Sequence, residues 1–587
     1  MNATITTYRY ELDLLKGFSI IAVVLYHAGW CKSGYLGADV FFVINGYLVI
    51  PKVINEINER KFRYLKFLEK RLFRLLPLVL LVSAFAMCIG YMDMLPVEYR
   101  YLSEEVLASS VFMNNMLQAI TTQNYWAAIY HKILMHTWFL GVLFQFYIVF
   151  PLLVMLLRKW MKPALVFLTL FSLLLYLSPI DTIGDKYYLL QYRFFELSIG
   201  GLIATQAFKS LSGLSCYSLL GVLLMIFFGV FTIGERAMPY NLVGGTNTIR
   251  ESFLPREIIV LLTVSCTILF IVSNSQTSRI AYFVKRSRII APLGRMSLSI
   301  YLWHQPLFAF YRYFYADELS LPVLSVTLVV VLLLSFFTYC IMEKKILPNN
   351  VSRLCLLLSF LVVNAFALWI YSQGGVVRDI PELNIRKGAT NPKVFEHYTD
   401  RVYDYDKEFS CDSTKKKILV IGNSFARDFA NILLESSFGD SVQLSYHVGF
   451  NDCPLSRVRQ SDYVYFFGRK HDVPDNVWSN LKPEAEIWGI GTKNHGTSNG
   501  IFYKNRKHQD YYSQTTKINP DFFTINRLLR DEWQSQYVNL LGLTLHPDST
   551  VPVFTPDNHF ITYDGSHLTP AGVQYYLKLL KDMKVVP

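Results

Sequence analysis

From about residue 12 to residue 372, apolar runs of roughly 17 to 25 residues alternate with short charged loops. Beyond that point the apolar positions fall into short β-branched runs and amphipathic stretches separated by turns. The first pattern predicts spans near 12–30, 36–56, 77–95, 137–157, 163–178, 190–207, 216–233, 257–275, 290–313, 321–342 and 353–372, about eleven in all. The segment 104–120 is apolar but interrupted by Glu104, Glu105 and two asparagines, so it reads as an interfacial or re-entrant piece. The second pattern predicts an α/β domain. The first apolar segment is long, contains His27 and lacks a small-residue cleavage site, so no cleavable leader is expected.

Loop charge orients the spans, because Lys and Arg collect in cytoplasmic loops. With the N-terminus inside, the inside loops hold Lys61, Arg63, Lys66, Lys70, Arg71 and Arg74, then Arg158, Lys159 and Lys162, then Lys285, Arg286 and Arg288, then Lys344, Lys345 and Arg353. The outside loops are poorer, and an odd number of spans puts the region after 373 outside, in the periplasm of a bacterium. Composition agrees: 52% hydrophobic and 17% charged residues exclude a soluble protein of this length. A net charge of +12 would suit a nucleic-acid binder, but much of it sits in those short loops, so no nucleic-acid partner is expected. Of eight cysteines, six lie in or beside apolar segments with no metal spacing and read as buried bystanders. Cys411 and Cys453 are the two in the polar region and suit one disulfide in an oxidising compartment.

Ionisable side chains inside spans are costly and mark sites or pathways. Lys16 and His27 stand on the first span about 16 Å apart. His27 is a candidate general base or acyl relay, and equally an interfacial histidine bonded to a neighbouring span. Arg71 and Arg74 share a helix face; guanidinium forks suit the phosphates of a nucleotide-containing donor, while positive-inside anchoring accounts for them as well. Arg193 and Glu196 read as a buried pair with a structural or a transfer role. His136, Gln145, Trp303 and His304 complete the set.

In their order these segments, GADVFFVINGYL at 37–48, the Arg71 and Arg74 pair, HTW and QFY around 136–147, RFFEL, the GR to LWH stretch at 294–304 and Glu343–Lys344, resemble the membrane acyltransferase-3 family over about residues 8–350. The resemblance implies a ten-span domain that uses cytoplasmic acyl-CoA, with acetyl-CoA as donor, Lys16, Arg71 and Arg74 at the donor, and no metal. Position 16 is Lys where that family usually has Arg, and Leu143 and Phe144 replace its acidic pair.

In the polar region the run Lys417 to Ile421 stops at Gly422, Asn423 and Ser424, and an amphipathic helix follows. Ser424 would sit at a strand-to-helix turn, as an exposed nucleophile at a helix N-terminus or simply as an N-cap. Far downstream, Asp564 and His567 share a loop before Thr569 and Pro570 open the last helix. A serine after the first strand and Asp-x-x-His before the last helix resemble the SGNH (GDSL-like) hydrolases, a doubly wound α/β fold. By that resemblance Ser424 is the nucleophile, His567 the base and Asp564 its orienter, with Gly449 and Asn494 as oxyanion candidates. Asn423 stands where that family usually has Asp.

The expected architecture is a polytopic α-helical membrane domain fused to a periplasmic SGNH-like α/β domain: 1–350 acyltransferase-3-like, 351–373 an additional transmembrane helix, 374–410 a linker, and 411–587 the SGNH-like domain. The expected activity is O-acyl transfer, acetyl favoured, across a bacterial inner membrane to a surface glycan, with lipopolysaccharide O-antigen ahead of peptidoglycan and capsule. Acyl-CoA, the glycan acceptor and membrane lipid are the expected partners. A membrane-anchored periplasmic esterase and a non-catalytic transporter are the rival readings.

Overall fold

The computed structural model describes residues 9–122, 132–178, 186–205, 221, 256–273, 290–316, 318–344, 348–388, 394–410, 415–436, 441–450 and 452–581. These form two compact units, one carried by the chain up to Tyr371 and the other by the chain from Ser372 onward together with Asp93–Val97.

The first unit is helical: α1 (Tyr10–His27), α2 (Leu36–Asn58), α3 (Tyr64–Asp93), α4 (Pro96–Ser110), α5 (Asn114–Thr121), α6 (Trp138–Leu157), α7 (Met161–Leu177), α8 (Leu190–Thr205), α9 (Arg256–Ser273), α10 (Ile290–Arg295), α11 (Ser297–Phe314), α12 (Leu321–Thr338) and α13 (Asn350–Ser372). Among the described residues, six helical runs are long and apolar enough to cross a membrane: α2, α3, the run Met135–Leu177, α9, Leu321–Glu343 and α13. This is fewer than the eleven expected. The run Met135–Leu177 merges two expected spans through a short 3-10 turn at Arg158–Trp160. α1 carries Glu11, Asp13 and Lys16, and α8 has only 16 residues. The expected span at 216–233 lies outside the described residues, Gly221 excepted. α3 begins at Tyr64, well before the expected 77, because the Lys- and Arg-rich stretch is itself helical and Pro77 sits inside the helix.

Burial sorts the helices. On α13 only Ala367 and Ile370 are buried, as for a helix facing lipid. α2 and α8 meet backbone to backbone: a Cβ on Gly46 would lie 1.8 Å from the Leu197 carbonyl oxygen, and one on Gly200 2.1 Å from that of Val43. The segment expected to be interfacial forms α4 and α5, which face protein. Asn114 Nδ2 donates to the Leu134 carbonyl at 2.9 Å, and Gln118 Nε2 to Glu105 Oε1 at 3.1 Å.

The second unit holds a five-stranded parallel sheet in the order β2-β1-β3-β4-β6, with β1 (Lys416–Ile421), β2 (Val442–His447), β3 (Tyr463–Phe466), β4 (Glu486–Ile490) and β6 (Tyr537–Val538). A small antiparallel pair, β5 (Thr515–Lys517) and β7 (Thr550–Pro552), stands apart. The last four residues of β1 are buried, as expected of a central strand covered on both faces. Helices α14 (Ser424–Glu435), α15 (Pro520–Trp533) and α16 (Pro570–Leu580) are the longest in this unit. Because β2 and β3 flank β1 on opposite sides, the chain reverses direction there and opens a crevice at the C-terminal ends of the strands. The stretch before β1 packs on α14: Arg401 donates from Nε to Asn431 Oδ1 and from Nη2 to Glu435 Oε1, both at 2.7 Å.

Candidate active site

Ser424 stands at that crevice, as the first residue of α14. The cap is its neighbour: Asn423 Oδ1 accepts the Phe425 N–H at 3.0 Å, which leaves the Ser424 hydroxyl for other work. His567 Nε2 lies 2.8 Å from Ser424 Oγ, and His567 Nδ1 lies 2.7 Å from Asp564 Oδ2. A carboxylate only accepts, so Nδ1 carries the hydrogen and Nε2 presents its lone pair to the serine hydroxyl. Asp564 is itself fixed, because its Oδ1 accepts the Ser566 and His567 backbone N–H groups at 3.0 and 2.8 Å.

The electrostatics match that division of roles. Burial pushes the Asp564 carboxyl up, but the facing His567 and the hydrogen bonds to it prevail and hold it well below the usual carboxylate range. The Asp564 charge raises the His567 pKa against the opposing effect of burial. Both side chains are partly withdrawn from water in the crevice and partly open to it, with 30% of the His567 side chain and 49% of that of Asp564 exposed.

Behind the serine lies an ion pair that sequence reading passed over. Lys493, fully buried, places its ammonium 2.7 Å from Asp428 Oδ2 and 4.0 Å from the Phe425 ring centroid. The same Asp428 oxygen accepts the Leu568 N–H at 3.0 Å, so the pair ties α14 to the loop holding His567. Its signal was available: Asp428 is one helical turn after Ser424, on the same face.

The oxyanion candidates have different settings. Gly449 adopts φ +80°, its N–H points to the Gly422 carbonyl at 3.4 Å, and a Cβ there would meet nothing within 4 Å. The Asn494 amide instead donates to the Gly496 and Gly565 carbonyls at 3.1 and 3.4 Å, bracing the loop of Asp564. Gly565 has no substitute there: at φ +88° its Cβ would lie 2.0 Å from the Gly496 oxygen. Cys453 is buried, and burial pushes its thiol up to about 11; Cys411 lies outside the described residues.

The helical unit has a site of its own. Lys16, Arg71 and Arg74 line one cavity of about 630 Å³, joined there by Arg295 and Lys344 against Asp13 and Glu343. Five cations face two acids. The Arg71 guanidinium lies 4.9 Å from the Tyr147 ring centroid and 5.2 Å from that of Phe67. Leu143, one of the positions without an acid, is in the cavity wall, and Phe144 stacks on Phe112 at 4.1 Å. Gln145 exchanges amide hydrogen bonds with Asn115 at 2.9 and 3.1 Å. Arg193 gains a partner not expected from sequence, since Nη1 bonds Asp39 Oδ1 at 2.7 Å as well as Glu196 Oε1 at 2.8 Å.

His27 is not in that wall. It is buried, and its Nδ1 lies 2.5 Å from His304 Nε2. His136 is close by, its ring centroid 5.5 Å from that of His304. Tyr301, in the cavity wall, donates its hydroxyl to the His136 carbonyl and so adjoins the histidine cluster. Among the described residues no group of three or more metal-ligating side chains is placed to hold an ion.

A bundle of apolar helices around a cationic cavity, in one chain with a serine-histidine-aspartate relay on a parallel sheet, defines a membrane protein built for acyl chemistry. The profile of the acyltransferase-domain family matches residues 9–341, more than half of the chain, and the chain belongs to that acyltransferase-3 family. It is 27% identical over 369 residues to the O-acetyltransferase OatA of Staphylococcus aureus, covering 58% of this chain and 57% of that one. It is 26% identical over 357 residues to the peptidoglycan O-acetyltransferase OatA of Listeria monocytogenes (54% and 51%). With BcsY of Komagataeibacter xylinus, named as a membrane-bound transacylase, it shares 24% identity over 341 residues (57% and 82%). The matched stretch thus spans just over half the length of the two O-acetyltransferases. No solved structure matches the chain.

Proposed function

We propose that this protein transfers an O-acyl group, acetyl by preference, from cytoplasmic acyl-CoA across a bacterial inner membrane to hydroxyls of a surface glycan. The observation that carries the reading is the hydrogen-bonded line from Ser424 Oγ through His567 to Asp564, assembled from positions 140 residues apart. The cationic cavity supports it, because Lys16, Arg71, Arg74, Arg295 and Lys344 offer charge-assisted hydrogen bonds to the phosphates of the donor. His27 is the base of transfer in the membrane domain.

At the outer domain, taken as SGNH-like, the chemistry divides one difficult step into two. His567 Nε2 takes the Ser424 proton as Oγ attacks the incoming acyl carbonyl. The bond to the leaving group breaks, and that group departs with the proton. A sugar hydroxyl then attacks the Ser424 ester and gives its proton to His567, and the Ser424 oxygen leaves and recovers it. The N-terminus of α14 is suited to the oxyanion, and the Gly449 N–H joins it only by turning away from the Gly422 carbonyl.

The topology that goes with this has about eleven spans, a cytoplasmic N-terminus and a periplasmic outer domain, in which Cys411 and Cys453 can pair. The domains are 1–350, the helix at 351–373, the linker at 374–410 and the outer domain at 411–587. Lipopolysaccharide O-antigen is the first acceptor on this reading. The name of the Listeria relative favours peptidoglycan as the second.

Replacing His27 and, separately, Ser424 by Ala, followed by mass analysis of surface glycans, tests the proposal. Both variants should lose glycan acylation, and acylation that persisted in both would defeat it. A deletion strain that gained acylation would point to the esterase reading.

A further inference from the structure

We infer that His304 fixes the tautomer of His27, as a positioning residue that leaves the His27 Nε2 lone pair free to act as base. The inference rests on the proposed role of His27 and adds the device that would make it work.

His304 Nδ1 lies 3.0 Å from the Ile300 carbonyl oxygen, one turn back on α11. A carbonyl can only accept, so Nδ1 carries the hydrogen. Neutral imidazole has a single N–H, hence His304 Nε2 holds a lone pair and must accept. Its partner at 2.5 Å is His27 Nδ1, which must therefore donate. The one lone pair of neutral His27 is then on Nε2. The two ring planes are 11° from parallel with centroids 4.8 Å apart, and with the two nitrogens only 2.5 Å apart the rings meet through those nitrogens.

The logic repeats that of Asp564 and His567 without a carboxylate, whose charge would be costly inside a span. Both histidines are buried, and the groups around them are accounted for. His136 and Tyr301 approach His304 with ring centroids at 5.5 and 5.7 Å, Tyr26 approaches His27 at 5.4 Å, and Arg312 Nη2 donates to the His27 carbonyl at 2.7 Å. None of these contacts supplies an acceptor to His27 Nδ1. Tyr301 belongs to both settings, lining the cationic cavity on one side and packing on His304 on the other.

In the step this serves, an acceptor hydroxyl attacks the thioester carbonyl and gives its proton to His27 Nε2. An acyl–oxygen bond forms and the acyl–sulfur bond breaks. The thiolate takes the proton from Nε2 and leaves as the free thiol, and His27 returns to neutral with Nδ1–H still on His304.

The test uses the full chain in lipid nanodiscs with acetyl-CoA as probe, a soluble oligosaccharide as the hydroxyl acceptor and thiol release as readout. His304→Leu removes the acceptor and should lower kcat about 100-fold or more, with KM for acetyl-CoA changed by no more than about twofold. His304→Gln restores an acceptor oxygen and should recover at least about tenfold of that loss. Nitrogen-15 NMR of histidine-labelled wild type should show His27 protonated at Nδ1. Full activity of His304→Leu, or wild-type His27 protonated at Nε2, overturns the inference even if the variants fold poorly. Full activity of His27→Ala would instead overturn the underlying proposal, so the two failures are distinguishable.

Discussion

Replacing Lys493 by Met should destabilise the second unit more than any exposed substitution in it. The ammonium is fully buried 2.7 Å from Asp428, whose side chain is 2% exposed. Without it, the buried Asp428 carboxylate loses its cation and is left with the Leu568 N–H at 3.0 Å. Removing one member of a buried pair costs about 3–5 kcal/mol. For a unit of about 200 residues each kcal/mol shifts Tm by about 2–4 °C, so the midpoint should fall by roughly 6–20 °C. Pulse proteolysis of the full chain in nanodiscs along a temperature gradient, read by mass spectrometry on peptides from 416–435 and 486–496, gives that midpoint. Lys493→Met with Asp428→Leu removes both charges and should melt above Lys493→Met alone, since a lone buried charge is worse than none. A shift of under about 2 °C for Lys493→Met, or a double variant at the sum of the singles, would refute this account of the pair.

Further outcomes follow from the structure. Asp564→Asn should cut Ser424-dependent ester turnover by about 10³ to 10⁴. Because the base must be neutral, wild-type activity should rise with pH through a His567 pKa raised above about 6.5, and the variant's rising limb should move to lower pH. The sign for stability is opposite: a raised folded-state pKa stabilises fully below about pH 6.5, and that contribution is lost as pH climbs through the folded value, as pH-dependent unfolding would show. Gly565→Ala should abolish labelling of Ser424 by a fluorophosphonate, since its Cβ collides with the Gly496 oxygen. Gly449→Ala meets open space and should cost only the left-handed backbone penalty of about 1–2 kcal/mol. Arg193→Met strands two buried carboxylates, Asp39 and Glu196, and should abolish accumulation of inserted protein on a membrane blot.

Sequence periodicity placed the helices well wherever a span is apolar throughout, as at α2, α6 and α13, because lipid and core both demand the same side chains there. It misjudged α3, whose basic first turns carry no hydrophobic signal yet continue the helix. In the second unit the local chemistry was legible: a β-branched run ending in Gly422-Asn423-Ser424, and Asp564 three residues before His567. Which residue caps α14 was not, since Asn423 and Ser424 both favour that position and only the fold shows the Asn423 side chain on the Phe425 N–H. Contacts across long sequence separations were hidden for a different reason. Asp428 with Lys493, Asp39 with Arg193 and His27 with His304 are each made by tertiary packing, and one strand or helix alone carries no mark of its distant partner.

The most direct test of the central claim is to reconstitute the full chain in sealed vesicles with acetyl-CoA supplied only on the face bearing the N-terminus. The peptide containing Ser424 is then examined by mass spectrometry in the wild type before any glycan acceptor is added, when no sugar hydroxyl is present to take the ester. One acetyl group should appear on Ser424 in the presence of acetyl-CoA and none when His27 is replaced by Ala. Acetylated glycan formed in the wild type from the same vesicles while Ser424 never carries an acetyl group would contradict it.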